Sequence, residues 1–281
     1  MSFTRKIDEV LIVKEINGVV EEGVTYPLKC TLSNETSSIV KYQKNPVGTE
    51  VLINEWIGNC IADSIGLTIP KYGICELPSE IIEKSDVYGE IDNTNSGTSF
   101  FSEYISNTAP CSGTMLAKAS NKETERLLLF DHLIKNEDRH NGNIIMQITA
   151  DRKVFFIDCS HFLTTNGVLH AQLNLKKELS MSEILNNHLM ANRNTNKGTN
   201  LYRMLCETMG YNEKVLFYEC NQIQRKLSKG VLKEIKESIP GVWRTAYTNK
   251  RISDMFEILQ YRLEHLEDIS KMIISERRLS I

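Results

Sequence analysis

Asp138, Asn143 and Asp158 fall within residues 130–162, FDHLIKNEDRHNGNIIMQITADRKVFFIDCSHF, together with His140 and His161. Asp138 and Asn143 share a short polar stretch, and Asp158 ends a pair of apolar runs that read as a hairpin. An acid and an amide on a loop, followed by an acid at a strand's end, can position a hydroxyl and hold Mg2+. Phosphoryl transfer asks for those parts more than for covalent chemistry. The expectation is an ATP-dependent kinase, in which case the chain must also supply a lysine, a glutamate to hold it and a cover for the phosphates.

Upstream, Lys41 sits in Ile39-Val40-Lys41-Tyr42, where period-two alternation puts it on the face opposite Val40 and Tyr42. Glu55 follows in VLINEWIGNCIADSIG, a helix that opens near Thr49-Glu50 and is stopped by Gly66 and Pro70. Ile53, Ile57, Cys60, Ile61 and Ile65 make one apolar stripe, and Val51, Leu52 and Trp56 a second, so the helix is covered on more than one side. A strand lysine and a helix glutamate can pair so that the ammonium faces ATP phosphates; two unrelated surface charges are the competing reading. Gly23-Val24-Thr25-Tyr26-Pro27 reads either as a plain hairpin turn or as a turn that approaches phosphates.

The elements around these residues change character along the chain. Strands are expected at 8–16, 24–32, 38–43, 71–77 and 100–105, with SNETS a connecting turn and 91–99 a mobile surface loop. Past residue 106 the pattern turns helical. Ser120-x-x-Glu123 is a capping box opening a helix to about Lys135, with Leu127, Phe130 and Ile134 on one side. After Leu169 helices run to the end, with breaks at 192–200, near Gly210 and at 239–241. Residues 252–273 read as one packing helix striped by Met255, Ile258, Leu259, Leu263, Leu266 and Ile269. The organisation expected is α+β: a β-rich lobe over 1–105 carrying one helix, and a mainly helical lobe over 106–281.

Composition narrows the classes. The chain has 281 residues, 41% hydrophobic and 25% charged, as a folded domain has. A formal net charge of -3 provides no general attraction to nucleic acid or anionic membrane, and no direct nucleic-acid contact is expected. Seven cysteines form no CxxC pair and read as free thiols of a cytoplasmic protein. No apolar run reaches the roughly 18 residues needed to span a bilayer.

DRHNGNIIM and FFIDCSHFL resemble the catalytic loop and metal-binding segment of phosphatidylinositol 3- and 4-kinases. The acid-first order Asp-Arg-His separates both from ordinary protein kinases. The layout as a whole resembles the bacterial HipA-like kinases more closely: Val40-Lys41-Tyr42, Asn54-Glu55, Gly66-Leu67-Thr68-Ile69-Pro70 and Leu133-Ile134-Lys135-Asn136-Glu137-Asp138-Arg139-His140, over roughly residues 18–165. That resemblance implies a two-lobed protein-kinase-like fold with ATP and Mg2+ as cofactors. It makes Asp138 the residue that orients or deprotonates the acceptor hydroxyl, and Asn143 and Asp158 the metal ligands. Lys41, held by Glu55, would contact the phosphates under a loop containing Gly23 and Thr25. Glu103 and Ile105 would receive adenine through their backbone. Arg139, His140 and His161 would support the site, either structurally or beside the transferring phosphate. Thr25 is the implied site of an autoinhibitory phosphorylation. Cys159-Ser160 departs from the Phe-Gly or His-Gly of many relatives, and the phosphate loop has one glycine.

The acceptor implied is Ser/Thr of a protein, with a toxin–antitoxin role and an antitoxin or other regulatory partner as its corollary. A phosphoinositide or small-molecule kinase and an ATP-binding pseudokinase are the alternatives; the absence of a strongly basic helix counts against lipid. A metal hydrolase lacks HExxH or paired-histidine spacing.

Overall fold

The structure is a computed structural model, described for residues 10–20, 24–111, 121–149, 151–163, 173–186, 189 and 212–279. Five strands close into a barrel: β1 (Leu11–Val19), β2 (Leu28–Leu32), β3 (Ser37–Lys41), β4 (Tyr72–Leu77) and β5 (Gly97–Glu103), in the order β1-β2-β3-β5-β4. Closure comes from a parallel pairing of β1 with β4, Leu11 opposite Cys75. Leu28, Cys30 and Leu32 alternate into the interior, where they meet Val13, Val40, Cys75, Leu77 and Phe101. Of the strand expected over 8–16, residues 8 and 9 lie outside the described residues; β1 pairs with β2 through bulges between Val13 and Glu15 and between Ile16 and Gly18. The SNETS turn is as expected, with Glu35 at positive φ and the Glu35 N–H bonded to the Leu32 carbonyl.

α1 (Glu50–Ile65) follows β3 and ends as anticipated at Gly66, whose φ of 82° only glycine adopts freely. Both of its apolar patches are covered. Apart from Val51, which clusters with Val47, its apolar residues lie in a second, larger core that continues through the C-terminal helices and takes in Tyr72, Ile74 and Phe100 from the outside of β4 and β5. Polar bonds fasten the helix there: the Trp56 indole donates to Ser238 Oγ at 2.9 Å, Lys226 to the Ile65 carbonyl at 2.8 Å and Arg126 to the Gly66 carbonyl at 2.5 Å. Two cations at the carbonyl end also match the helix dipole.

The 91–99 stretch, expected as a mobile loop, is tied down. Asp92 caps a 3-10 turn, Asn93–Asn95, by accepting from Thr94; Asn95 donates to the Lys44 carbonyl, and β5 begins at Gly97. The same Asp and Asn side chains that mark a turn supply its hydrogen bonds. α2 (Ser79–Glu83) precedes it.

Beyond the connector, β6 (Thr108–Pro110), β7 (Ile144–Gln147) and β8 (Val154–Phe156) form a small antiparallel sheet containing the expected hairpin. α3 (Asn121–Ile134) buries Leu127, Phe130, Leu133 and Ile134; Ser120 lies outside the described residues, as do the expected breaks at 192–200 and Gly210. The remaining α-helices among the described residues are α4 (Leu175–Glu178), α5 (Met181–Asn186), α6 (Glu213–Lys226), α7 (Lys229–Glu237), α8 (Ala246–Glu264) and α9 (Leu266–Leu279). The stripe expected as one helix over 252–273 is buried throughout but broken at His265. No proline or glycine marks that break. His265 pairs with Asp268 in the first turn of the new helix, and packing of α9 against α6 and α3 replaces a continuous rod. Among the described residues no helix is long and apolar enough to cross a membrane.

Candidate active site

Lys41, at the end of β3, turns away from the barrel interior, as alternation with Val40 requires. Its ammonium donates to Glu55 Oε1 and lies 3.3 Å from Asp158 Oδ1. A strand residue, a helix residue and one from the loop after β8, far apart in sequence, therefore meet at one buried cation. Glu55 is itself held from two further sides, accepting from the Cys159 N–H at 3.2 Å and Asn59 Nδ2 at 3.1 Å.

Asp158 adopts a left-handed backbone conformation, φ 61°, unusual for a residue with a side chain. Its Oδ1 accepts from the Ser160 N–H at 2.9 Å and from Ser160 Oγ. Ser160 thus supports the loop where many relatives carry glycine. Asn143 gives its amide nitrogen to the Asp138 carbonyl at 2.9 Å, which makes Oδ1 the atom it can offer a cation.

Arg139 is fully buried and knits the two loops. It pairs with Asp131 of α3 through Nε (3.0 Å) and Nη2 (3.1 Å), and its Nη1 donates to the carbonyls of Asn143 (3.1 Å) and Ile157 (2.7 Å). One guanidinium therefore ties the Asp138 loop to the peptide just before Asp158, using the planar fork that lysine lacks.

Asp138 is partly exposed and faces two histidines, His161 Nε2 at 3.5 Å and His140 Nε2 at 3.9 Å from Oδ2. His140 Nδ1 accepts from the Gly142 N–H at 3.0 Å, capping the 3-10 turn Asn141–Asn143. In a neutral ring that leaves the proton on Nε2, the nitrogen facing Asp138.

Comparison with known proteins identifies the arrangement. The profile of the HipA-like kinase family matches residues 13–268. The chain belongs to the HipA-like kinase family. It is a kinase, and solved structures show its fold to be kinase-like: a strand-rich N-terminal region and a helical C-terminal one. The Helicobacter pylori proinflammatory kinase CtkA superposes with a TM-score of 0.54 at 16% identity, covering 95% of this chain and 97% of that one. A Golgi casein kinase with Mn/ADP bound gives 0.51 at 11% identity, covering 95% and 74%. HipA of Shewanella oneidensis MR-1, from a toxin–antitoxin complex with HipB and operator DNA, gives 0.50 at 13%, covering 92% and 68%. No curated protein matches the sequence significantly.

The electrostatics of this kinase's cleft follow from one cation between two carboxylates. Burial opposes the Lys41 charge, but Asp158 and Glu55 outweigh it and lift its pKa above that of an ordinary lysine. Burial likewise opposes ionisation of Asp158, and Lys41 with the two Ser160 donors outweighs it, holding the carboxyl far below its usual range. Glu55 is pushed up by burial and by the Asp158 charge, with Lys41 pulling the other way. Asp158 stays ionised beside the ammonium. The side chain of Asp158 keeps 33% exposure, so the same carboxylate remains open to the cleft.

The donor set fits a hard divalent cation: one ionised carboxylate and one amide oxygen. Among the described residues no group of three or more His, Cys, Asp or Glu is placed to hold a metal alone. Mg2+ held by a few protein oxygens and completed by phosphates and water needs no such cage.

Other expected residues sit differently. Gly23 lies outside the described residues. Thr25 is buried, while Val24 and Tyr26 beside it are exposed and Tyr26 has positive φ. Of the connector, the Glu103 N–H is already bonded to the Lys71 carbonyl at 2.7 Å and the Tyr104 N–H to Ser37 at 2.9 Å. β-pairing thus takes the Glu103 donor.

Three supporting features escaped the sequence reading. Asp131 looks like a stray acid in an apolar helix; its position eight before Arg139 was the available clue. Gly58 allows close approach: a Cβ there would lie 2.9 Å from Cys159 Sγ. A glycine mid-helix was the signal. Under the Asp138 loop, Glu178 accepts from Lys135 at 2.5 Å and from Arg262 at 3.0 Å, and Arg262 also donates to the His132 carbonyl at 2.8 Å. Nothing in local sequence announces that cluster, because its members are far apart in the chain.

Proposed function

We propose that this kinase transfers the γ-phosphate of ATP, with Mg2+, to a Ser/Thr hydroxyl of a protein. The observation that carries the reading is Lys41 bonded at once to Glu55 and Asp158. Asp138 orients the acceptor hydroxyl and takes its proton, with His161 and His140 beside its carboxylate at 3.5 and 3.9 Å. Lys41 binds nucleotide phosphate from the barrel side, Glu55 fixes its direction, and the Ile105 backbone receives adenine. Asn143 and Asp158 would hold Mg2+, which neutralises phosphate charge when bound. The lobe boundary is placed near residue 106. A complete set of these groups disfavours a pseudokinase.

A protein acceptor is favoured over lipid by the net charge of -3 and by family membership. The Golgi casein kinase neighbour, bound to Mn/ADP, supports use of nucleotide and a divalent ion. The Shewanella HipA complex with HipB supports an antitoxin-like partner in turn. Free, buried cysteines among the described residues suit a reducing cytoplasm. Thr25 could be phosphorylated only after its turn leaves the conformation that buries it; unchanged intact mass after long incubation with Mg-ATP would remove that idea.

The test is incubation with Mg2+ and γ-labelled ATP, offering extract proteins or lipid vesicles. Label on protein, lost by about 10²–10⁴-fold in Asp138→Asn, is expected from removal of a general base. Asp158→Asn should abolish it as well. Label confined to lipid, or nucleotide binding without turnover in wild type, overturns the assignment.

A further inference from the structure

We propose that Asn54 is a positioning residue for the Asp158 carboxylate, acting through Ser160 from the helix that also carries Glu55. The inference rests on the reading of Asp158 as a metal ligand. Asn54 is fully buried and its Nδ2 donates to the Ser160 carbonyl at 2.6 Å. Ser160 in turn directs its N–H and Oγ to Asp158 Oδ1. Between them, the Cys159 N–H is held by Glu55 Oε2, and Gly58 brings the helix backbone against the Cys159 side chain. α1 therefore grips the peptide before Cys159 and the peptide after Ser160, while Ser160 grips Asp158.

Asp158 needs such a grip. Its left-handed backbone conformation is disfavoured for any residue with a Cβ and persists where surroundings over-determine it. A bond to the Ser160 carbonyl fixes the peptide that joins Ser160 to His161; with the Cys159 N–H held as well, Ser160 is pinned from both sides and its donors stay on Asp158. The same peptide leads into His161, whose Nε2 lies 3.5 Å from Asp138. Adjacent helix residues then divide the work: Glu55 aims Lys41, and Asn54 aims Asp158. An apolar residue at 54 would fill the space and leave the Ser160 carbonyl free to rotate.

Mn2+ binding to the full chain, with a non-hydrolysable ATP analogue present, tests this by the electron paramagnetic signal of free Mn2+. Wild type, Asn54→Leu, Ser160→Ala and Asp158→Asn are compared, each with its melting temperature. Loss of a group that orients a metal ligand typically weakens affinity about 10-fold or more, and that is expected for Asn54→Leu, with a smaller loss in the same direction for Ser160→Ala. A purely structural role would lower the melting temperature and leave the Mn2+ affinity of the folded protein unchanged. If Asn54→Leu does not fold, Asn54→Asp, which keeps the volume and loses the Nδ2 donor, takes its place with the same expected loss of Mn2+ affinity. Unchanged affinity in the folded variants, beside weakened binding in Asp158→Asn, overturns the role of Asn54. Wild-type affinity in Asp158→Asn overturns the metal assignment and this inference with it.

Discussion

The two cores differ in what they contribute to the cleft. The barrel core, built on Val13, Leu28, Cys30, Leu32, Val40 and Leu77, contributes Lys41. The larger core contributes Glu55, Asp138, Asn143 and Asp158, because α1 packs with the C-terminal helices although it is threaded between barrel strands. The barrel is held by strand pairing and apolar side chains. The larger core is crossed by buried charges: Arg139 on Asp131, Arg126 on Glu219 and Glu178 between Lys135 and Arg262. Buried pairs are weak evidence of net stability but costly to break singly. The difference suggests a division: perturbing the barrel should change how ATP is held, and perturbing the larger core should change stability and chemistry together.

Arg139→Met should show the largest effect on stability. It would leave Asp131 buried without its arginine, a change that typically costs about 3–5 kcal/mol. It would also unlink the Asn143 and Ile157 carbonyls. Urea denaturation should report the loss, and Arg139→Met with Asp131→Leu should recover part of it. A single variant as stable as wild type would remove the charged cross-bracing from the account.

Glu178 gives the pH dependence. Burial raises its pKa, but Arg262 and Lys135 outweigh that and leave it below the ordinary carboxylate value. Its stabilisation is then fully present above the unfolded-state value of about 4.3 and is lost as pH falls through the lower folded value. The stability gap between wild type and Glu178→Gln should be widest at neutral pH and close on acidification. A gap that widens as pH falls would reverse the sign and exclude this pairing as its source.

Gly58→Ala comes next. The new Cβ meets Cys159 on the segment after Asp158, and overpacking of this kind costs about 1–3 kcal/mol. Cys159→Gly in the same chain should relieve it. Kinase activity should fall more than the melting temperature suggests, since the displaced segment carries Asp158. Equal activity in Gly58→Ala would mean that α1 tolerates a shift away from the metal segment.

Much of this was legible in the sequence where the signal was local. Alternation placed Lys41 opposite Val40, Gly66 ended α1, and the acid-loop-hairpin pattern around Asp138 and Asp158 pointed to phosphoryl transfer. Two kinds of feature were not. Backbone pairing that consumes a donor, as at Glu103, depends on strand register with Lys71. Charges that meet only after folding, such as Glu178 with Lys135 and Arg262, have no spacing to read. The break at His265 belongs with these: its cause is what α9 packs against.

Trp243→Phe should have the smallest effect, and it tests the separation of the cores directly. Trp243 is buried in the larger core, yet its indole donates to the Thr98 carbonyl on β5 of the barrel at 2.9 Å. That carbonyl also accepts from Gln43 Nε2 at 3.0 Å, so removing the indole N–H does not orphan it. The bond itself should then be worth no more than about 0.5–1.5 kcal/mol. Phe fills most of the indole's space, and the lost ring volume adds to the cost without moving Lys41 or Asp158. A modest fall in melting temperature with kcat and the KM for ATP unchanged is expected. A loss as large as that of Arg139→Met would mean that β5 depends on the C-terminal core for its place, and that the barrel does not stand as a separate unit.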